Sequence, residues 1–328
     1  MPGILSFLYS QLLTTLPKPS ASYAGQTVLV TGANVGLGKE AARHYTQLGA
    51  STVILAVRSI SKGEAAKTDI EKTTAKTNVI QVWQLDMSSY QSVIDFASRA
   101  TKELKRLDIA VLNAGVVRGE WEVFEQDEST ITVNVVSTFL LALSLLPKLK
   151  ETANTFNKRP TLTIVASEVH DYAKFVEGKA PEGKLFAALN EKPAKPDQAA
   201  LGERYQVSKL LDVFGTRAMA DRRAAQQIPV TINCVNPGLC HSELAREAGI
   251  ALTIMKFFLA RTTEVGSRTL VHAGGAGAET HGQYLSNCEI TKPSDYVLSA
   301  EGYKVQNWFW EELSKKLEGI KPGVTANL

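Results

Sequence analysis

The stretch TVLVTGANVGLG, Thr27 to Gly38, decides the fold that this sequence predicts. A β-branched and apolar run leads directly into a glycine-rich loop, and the helical pattern KEAARHYTQLG follows at once. Glycines at such a turn let the backbone approach a diphosphate, while the helix N-terminus supplies N–H groups and a positive dipole. We predict that this loop binds a dinucleotide, with a purely structural turn as the alternative. The predicted cofactor-binding residues of the loop are Gly32, Asn34, Val35, Gly36, Leu37 and Gly38.

Further along the chain, short apolar runs alternate with longer helical patterns. The predicted strands are TVLVTG, STVILAVR, NVIQVWQLD, LDIAVLNAG, PTLTIVAS and PVTINCVNPG. Their nearly continuous apolar character is typical of parallel strands that are covered on both faces. The alternation therefore predicts the α/β class: a Rossmann-like, doubly wound parallel sheet in a single domain with helices on both faces.

The predicted domain covers residues 26–328, and residues 1–25 form a helical extension. The apolar run near the N-terminus is too short to span a bilayer, which needs ~20 residues. A helix packed on the body or near the substrate entrance is the main interpretation, and a membrane-surface contact is the alternative. Residues 168–203 form a substrate-loop insertion. Residues 239–262 are apolar at helical spacing and form either a lid over the substrate or an ordinary packed segment.

Composition excludes several classes of function. The 328 residues are 44% hydrophobic and 21% charged, as in a globular protein, and the net charge of +3 gives no support for nucleic-acid binding. The three cysteines are odd in number and show no CxxC spacing, which argues against a disulfide framework and predicts a reducing, cytoplasmic location. The histidines, including His170 and His241, show no metal-ligand spacing, so we predict no metal and assign them surface or structural roles.

The second predicted strand ends at Val57 and Arg58, where a dinucleotide fold places the group that reads the adenosine ribose. An NAD enzyme needs a carboxylate there, whereas a guanidinium suits the 2′-phosphate of NADP(H). We therefore predict NADP(H) as the cofactor, with Arg58 as its phosphate reader and Lys62 as an added positive charge. The alternative for both residues is an ordinary solvated side chain.

The stretch RYQVSK places Tyr205 and Lys209 four residues apart, on one face of a predicted helix. An ordinary amphipathic helix would give the same spacing. The pair gains meaning from motifs that occur in order along the chain: TGANVGLG, LDMSS around Asp86, LNAG at Leu112 to Gly115, NVVST at Asn134, IVAS ending at Ser167, RYQVSK, and NPG at Asn236 to Gly238.

This series resembles the short-chain dehydrogenase/reductase family from Gln26 to Asn287. Within that family the chain is similar to retinol-dehydrogenase-like members and to fungal reductases of secondary metabolism. The resemblance implies that Tyr205 is the general acid/base, and that Lys209 favours its phenolate and binds the nicotinamide ribose. It also implies that Ser167 holds the substrate oxygen and that Asn134 positions a water for a proton relay.

The resemblance also implies further cofactor contacts, which are made by Asp86, Asn113, Ala114, Gly115, Tyr205, Lys209, Pro237, Gly238 and Ser242. Ser242 departs from the family pattern, which commonly has threonine there, so its contact with the carboxamide is less secure. A second departure is the long segment between Ser167 and Tyr205, which we expect to shape the mouth of the substrate site.

Together these features predict an NADP(H)-dependent oxidoreductase that interconverts a ketone or aldehyde and an alcohol on a hydrophobic small molecule, such as a secondary-metabolite intermediate. Two alternatives stay open: an NADP-binding regulatory or scaffold protein without turnover, and an enzyme of the same fold that catalyses a dehydration or an epimerisation. A homodimer is a further expectation, and no nucleic-acid partner is expected.

Overall fold

The computed structural model describes residues 4–241 and 259–328 of the chain. Its strands are β1 (Thr27–Thr31), β2 (Thr52–Val57), β3 (Ile80–Gln84), β4 (Ile109–Leu112), β5 (Val123–Phe124), β6 (Asp127–Glu128), β7 (Thr161–Val165), β8 (Thr231–Asn236), β9 (Tyr284–Ser286) and β10 (Glu289–Ile290). Its α-helices are α1 (Ile4–Leu12), α2 (Gly36–Gln47), α3 (Ile60–Thr74), α4 (Tyr90–Glu103), α5 (Ser129–Ile131), α6 (Ser137–Phe156), α7 (Leu185–Leu189), α8 (Gln198–Arg222), α9 (Thr263–Gly274), α10 (Asp295–Leu298) and α11 (Ala300–Ile320).

Within the described residues, the main sheet has eight strands in the order β10-β9-β8-β7-β4-β1-β2-β3. Neighbouring strands pair in parallel, except that β9 and β10 form an antiparallel hairpin at one edge. The Rossmann-like sheet predicted from the sequence is confirmed, and each of its six predicted strands is present. The sequence interpretation missed β9, β10 and the small β5–β6 hairpin.

Both faces of the sheet are buried under helices. Along β1, Leu29 packs into one cluster with residues of α4, α6, α8 and α11, whereas Val28 and Val30 pack into a second cluster with residues of α2, α3 and α9. Successive side chains of a strand point to opposite faces, so two covered faces require the continuous apolar strands seen in the sequence.

A long apolar helix crosses the interior. It runs from Ser129 to Phe156 as α5, a π-helical turn (Thr132–Val136) and α6. Among the described residues it is the one helix long and apolar enough to cross a membrane, but its apolar window is entirely buried inside the protein. It is therefore a core helix of the α/β domain.

Helix α1 of the N-terminal extension lies against the loop that follows β8. The Gln11 side-chain amide donates to the carbonyl oxygens of Leu239 and Leu259 at 2.9 and 3.1 Å. Arg261, which is buried, donates to the Ser10 carbonyl oxygen at 2.5 Å. The helix is thus fixed to the body by polar contacts, while Tyr9, Leu12 and Leu13 remain exposed.

The segment between Ser167 and Tyr205 contains two 3₁₀ helices (Glu168–Tyr172 and Val176–Lys179), α7 and the first turns of α8. A buried ion pair at 2.8 Å joins Arg204 of α8 to Glu177. The carboxylate of Glu312 on α11 accepts the backbone N–H groups of Leu185 and Phe186 at the start of α7. The segment is therefore anchored to two long helices. Of the predicted 239–262 segment, residues 242–258 lie outside the described residues.

Candidate active site

The predicted site residues gather at the carboxyl ends of the parallel strands. Gly32 follows β1, Gly115 follows β4, Ser167 follows β7 and Pro237 follows β8, and these four strands are neighbours in the sheet. Ligands of doubly wound sheets bind in the crevice outside these strand ends. The topology therefore brings together residues that are more than 200 positions apart in the sequence.

The glycine loop is built around tight contacts with the loop after β4. Gly32 and Gly36 have φ values of +65° and +63°, which favour glycine. The Asn113 side-chain amide donates to the Thr31 carbonyl oxygen, and the Thr31 hydroxyl accepts the N–H groups of Asn113 and Ala114, each at 2.9 Å. Asn113 thus holds the two loops together, and Thr31, which the sequence interpretation did not single out, is its partner.

The start of helix α2 is suited to an anion. Its N-cap residue, Val35, makes no side-chain cap hydrogen bond. In contrast, α3, α4, α8, α9 and α11 each begin at a Ser, Thr or Asp whose side chain accepts a backbone N–H of the first turn. The first N–H groups of a helix need a partner, and a diphosphate supplies one. The glycine loop therefore fits a dinucleotide.

A cavity of about 350 Å³ extends from this loop toward the end of β2. It is lined by predicted residues, namely Gly32, Asn34, Arg58, Asp86, Ala114 and Gly115, and by residues that were not predicted, including Ser88, Val116 and Arg118. The Asp86 carboxylate is fixed by the Ser88 N–H and hydroxyl at 2.9 and 2.7 Å. Arg58 is exposed at the mouth of this cavity, and Lys62 is exposed on α3.

We expect Gly38→Ala to weaken dinucleotide binding. An added Cβ would lie 2.6 Å from the Asn113 side-chain nitrogen and 2.8 Å from the Gly32 carbonyl oxygen, so the loop would have to move. Overpacking costs ~1–3 kcal/mol, and the part that must be met again when the displaced loop returns to its binding shape should raise the Kd for NADPH by up to ~100-fold in calorimetric titration. Gly319→Ala is the matched control, because nothing lies within 4 Å of its new Cβ. An unchanged Kd for Gly38→Ala would contradict the binding role of the loop.

Tyr205 and Lys209 face the site from α8, as the four-residue spacing predicted. The Lys209 Nζ lies 5.9 Å from the centroid of the Tyr205 ring. Burial raises the pKa of Tyr205, whereas the Lys209 charge and the nearby Ser167 side chain lower that pKa. The effect of burial is the largest, so the pKa of Tyr205 is raised and the free protein holds Tyr205 as a neutral phenol that can donate a proton.

The Lys209 ammonium is buried and bonded to two oxygens. It donates to the Val165 carbonyl oxygen at 2.8 Å and to Oδ2 of Asp212 at 2.9 Å. An ammonium has three donors, and among the described residues no further acceptor bonds it, which leaves one N–H for a ligand. The sequence interpretation missed Asp212 as a partner, although its i,i+3 spacing from Lys209 was visible.

Asn134 lies in the π-helical turn, a feature that is frequent at functional sites. Its side-chain oxygen accepts the Val116 N–H at 2.8 Å, and its amide donates to the Val116 carbonyl oxygen and to the Ser208 hydroxyl, both at 3.0 Å. A Cβ at Gly115 would lie 3.2 Å from the Asn134 oxygen and 3.9 Å from the Lys209 Nζ. Gly115 thus allows Asn134 and Lys209 to approach the same space.

The NPG turn closes the opposite side of the site. The Asn236 side-chain oxygen accepts the N–H groups of Glu168 and Gly238 at 3.1 and 3.0 Å, which joins this turn to the segment after Ser167. Gly238 has a φ of +78°, and a Cβ there would lie 2.6 Å from Gln11 of α1. Pro237 and Gly238 are therefore held beside Ser167. Ser242 lies outside the described residues.

A second cavity, of about 320 Å³, opens beside Glu168 and Asn236. Its lining mixes polar and apolar surface and includes Glu168, His170, Tyr172, Tyr284 and Ser286, together with Phe7 and Ser10 of α1. Burial raises the pKa of Glu168 and lowers that of His170. The His170 ring bridges the Ser167 carbonyl oxygen and the Ser294 N–H at 2.7 and 3.0 Å. In the described part of the chain, no cluster of three metal-ligating side chains occurs.

Comparison with known proteins agrees with this geometry. A sequence profile described as short chain dehydrogenase matches residues 26–156. The chain is 56% identical to the short chain dehydrogenase/reductase dmxR8 of Cryptosporiopsis sp., over 98% of this chain and 100% of that protein. It is 41% identical to the short-chain dehydrogenase anuD of Penicillium roqueforti, over 98% of this chain and 84% of that protein.

A solved structure shares the fold. The short chain dehydrogenase of Shigella flexneri 2a, complexed with NADP, superposes with a TM-score of 0.57 at 22% identity, over 83% of this chain and 100% of that one. At this identity the likeness concerns the fold. The fungal relatives match nearly the full length and therefore carry the assignment. The chain belongs to the short-chain dehydrogenase/reductase family of oxidoreductases.

Proposed function

We propose that the protein is an NADP(H)-dependent oxidoreductase that interconverts a ketone or aldehyde and an alcohol. The observation that carries this proposal is the arrangement of Tyr205, Lys209 and Ser167 beside a glycine loop that fits a dinucleotide. When bound, the nicotinamide ring of such a cofactor gives or accepts the hydride. The protein residues then have to bind the substrate oxygen and move one proton.

Tyr205 is the proton donor of the reduction. The Ser167 side chain lies near the Tyr205 hydroxyl and lowers its pKa, so a substrate oxygen placed between the two hydroxyls would receive a hydrogen bond from each. Burial raises the pKa of Tyr205, so the free protein holds the neutral phenol, which is the form that donates a proton in reduction. In the oxidation direction, the positive charge of Lys209 stabilises the phenolate that must accept the proton.

Replacement of the proton given up by Tyr205 is assigned to Lys209 and Asn134. One N–H of the Lys209 ammonium remains for the ribose hydroxyl of the dinucleotide. Asn134 lies on the other side of Gly115 and, with its backbone partners at Val116, can hold a water behind Lys209. The water relay remains a proposal that follows from the family resemblance.

Arg58 supports the choice of NADP(H) over NAD(H). Its guanidinium lines the dinucleotide cavity at the end of β2, where an NAD enzyme would need a carboxylate. We expect Arg58→Ala to raise the Kd for NADPH by ~10- to 100-fold, the value of one charged hydrogen-bonded contact, and to leave the Kd for NADH nearly unchanged. Parallel calorimetric titrations of the two dinucleotides measure this difference.

Lys62→Ala and Lys67→Ala complete that experiment. Lys62 and Lys67 both lie on α3, but only Lys62 is one turn from Arg58, so Lys67→Ala is the matched control for loss of a positive charge. A loss of NADPH affinity in Lys62→Ala alone assigns Lys62 to the phosphate site. Equal affinity of the wild-type protein for NADPH and NADH would overturn the proposed cofactor preference.

The second cavity is the proposed substrate site, because it is lined by Asn236 and by Glu168, which follows Ser167 in the chain. We propose a hydrophobic small molecule, an intermediate of fungal secondary metabolism, since the relatives named above are fungal. The cavity is also lined by the carboxyl of Glu168 and the hydroxyls of Tyr172 and Ser286. We therefore propose that the substrate carries hydroxyl groups beside its carbonyl. Turnover of a panel of hydroxylated aromatic ketones against their deoxy analogues tests this.

Two other functions remain as outcomes of the same experiments. Tight NADP(H) binding without turnover would favour a regulatory or scaffold protein. A product whose mass differs from that of the substrate by something other than two hydrogens would favour dehydration, and an unchanged mass would favour epimerisation. Cytoplasmic location, a homodimer and a peripheral membrane contact through the exposed apolar residues of α1 are further proposals, testable by fractionation and light scattering.

A further inference from the structure

The function proposed above leaves one buried acid in the site without a role. Asp212 lies on α8, one turn after Lys209, and its side chain is 1% exposed. Its Oδ2 accepts from the Lys209 Nζ at 2.9 Å. Among the described residues, Oδ1 is buried without any hydrogen-bond partner. A buried carboxylate with an unmet oxygen is costly, so its presence beside the catalytic lysine calls for a reason.

We propose that Asp212 is a positioning residue: its carboxylate fixes the Lys209 ammonium beside the Tyr205 ring and offsets the positive charge that Lys209 presents to the phenol. The positioning part follows from the geometry. Lys209 has a long flexible side chain, and the two oxygens of Val165 and Asp212 hold its nitrogen in one place. The remaining N–H then has a defined direction for the ligand.

The protonation part follows from charge. The Asp212 carboxylate neutralises Lys209 and repels a phenolate, so it opposes the effect of the lysine on Tyr205. Its charge raises the pKa of Tyr205. Burial raises the pKa of Asp212 itself to about 6, with Lys209 lowering it, so the carboxylate is ionised at neutral pH. The Asp212 charge therefore weakens the stabilisation of the Tyr205 phenolate by Lys209. This favours reduction over oxidation, because oxidation needs the phenolate as a base.

Among the described residues, few other titratable groups lie near Lys209 and Asp212. Cys234 on β8 is next to both Lys209 and Asp212, and burial raises its pKa to about 12, so it is a neutral thiol. Arg217 on α8 acts on Cys234. The acids Glu168 and Asp171 act on Tyr284. In the part of the chain that the structure describes, the charges that shift the pKa of Tyr205 are those of Lys209 and Asp212.

The first test needs no ligand. The ultraviolet absorbance of tyrosinate is titrated with pH for the wild type and for Asp212→Asn, each against the same protein with Tyr205→Phe added. Subtraction removes the other tyrosines, including the buried Tyr45, Tyr90 and Tyr284. We expect Tyr205 to titrate about one pH unit lower in Asp212→Asn, the size typical of one nearby charge. An unchanged or higher titration would overturn the proposal.

The second test uses turnover and rests on the proposed function. Rates are measured against pH with NADPH and 1-tetralone, and in reverse with NADP⁺ and 1-tetralol. In Asp212→Asn the high-pH limit of reduction and the low-pH limit of oxidation should both move to lower pH by about one unit. A wild type without turnover would count against the proposed function alone, because the tyrosinate titration still decides the role of Asp212.

Two further variants separate charge from folding. Asp212→Glu keeps the carboxylate and should leave Tyr205 titrating as in the wild type. A shift of a full unit in this variant would overturn the proposal even if Asp212→Asn failed to fold. Asp95→Asn removes the same charge from the exposed surface of α4 and is the matched control. A lower melting temperature in Asp212→Asn with an unmoved titration would mean a purely structural role, which also overturns it.

Discussion

Tyr205→Phe should abolish most of the turnover while leaving the dinucleotide site intact. The substitution removes one hydroxyl, so the proton donor is lost, and general acid–base catalysis is worth ~10²- to 10⁴-fold in rate. The ring stays in place on α8 with Lys209 at 5.9 Å from its centroid. We therefore expect kcat to fall within that range in NADPH-dependent ketone reduction, with a Kd for NADPH within about twofold of the wild type.

Tyr303→Phe removes the same atom from an exposed tyrosine on α11 and should change neither kcat nor the melting temperature. Because Ser167 lies near Tyr205 and is proposed to hold the same substrate oxygen, we also expect Ser167→Ala to lose turnover without losing NADPH affinity. If Tyr205→Phe kept more than about a tenth of the wild-type kcat, the assigned proton donor would be wrong.

Much of this fold could be predicted because its signals are local. The strands of a doubly wound sheet are buried on both faces, so each reads as an apolar run, and Val28, Leu29 and Val30 are all fully buried. The glycine loop was equally visible, because Gly32 and Gly36 occupy backbone conformations that other residues rarely adopt. The short strands β9 and β10, at one end of the sheet, offered too few residues for a pattern.

The features that could not be predicted depend on contacts between distant parts of the chain. Nothing in the sequence near Gln11 indicates that its amide meets Leu239, more than 200 residues away. A carboxylate such as Asp212 on a helix implies a solvated face, whereas here the carboxylate is buried beside Lys209, which bonds the end of β7. Helical periodicity separates polar from apolar faces, but it does not tell a solvated face from a buried active site.

The chemistry of the substrate is also hard to predict from the sequence, because it depends on residues from distant segments. A hydrophobic substrate was expected from the resemblance, yet the second cavity brings together Glu168, His170 and Tyr284 from three separate segments. Burial raises the pKa of Glu168, with Arg261 lowering it, so this carboxyl is placed to accept or donate a hydrogen bond according to pH. Substrate recognition is therefore the part of the function that tertiary packing decides.

Lys209→Met should cost both catalysis and stability. Asp212 would lose the donor to Oδ2 in a place where Oδ1 already has none, and breaking a buried ion pair costs ~3–5 kcal/mol. The orphaned Asp212 will bind a proton more readily, because burial already raises its pKa to about 6 with Lys209 present. A folded-state pKa above the unfolded value means that stability is lost as pH rises, so urea denaturation should show a larger loss at pH 8 than at pH 5.5.

The double variant Lys209→Met/Asp212→Asn separates the two losses. A neutral amide in place of the carboxylate removes the uncompensated charge, so most of the stability should return at pH 8 and the difference between pH 8 and pH 5.5 should vanish. Turnover should stay at least ~100-fold below wild type, because no cation remains to stabilise developing charge at Tyr205. Recovery of turnover with stability would mean that Lys209 serves only to balance Asp212. Failure to recover stability would mean that the two side chains do not form the buried pair on which the folding of this part of α8 depends.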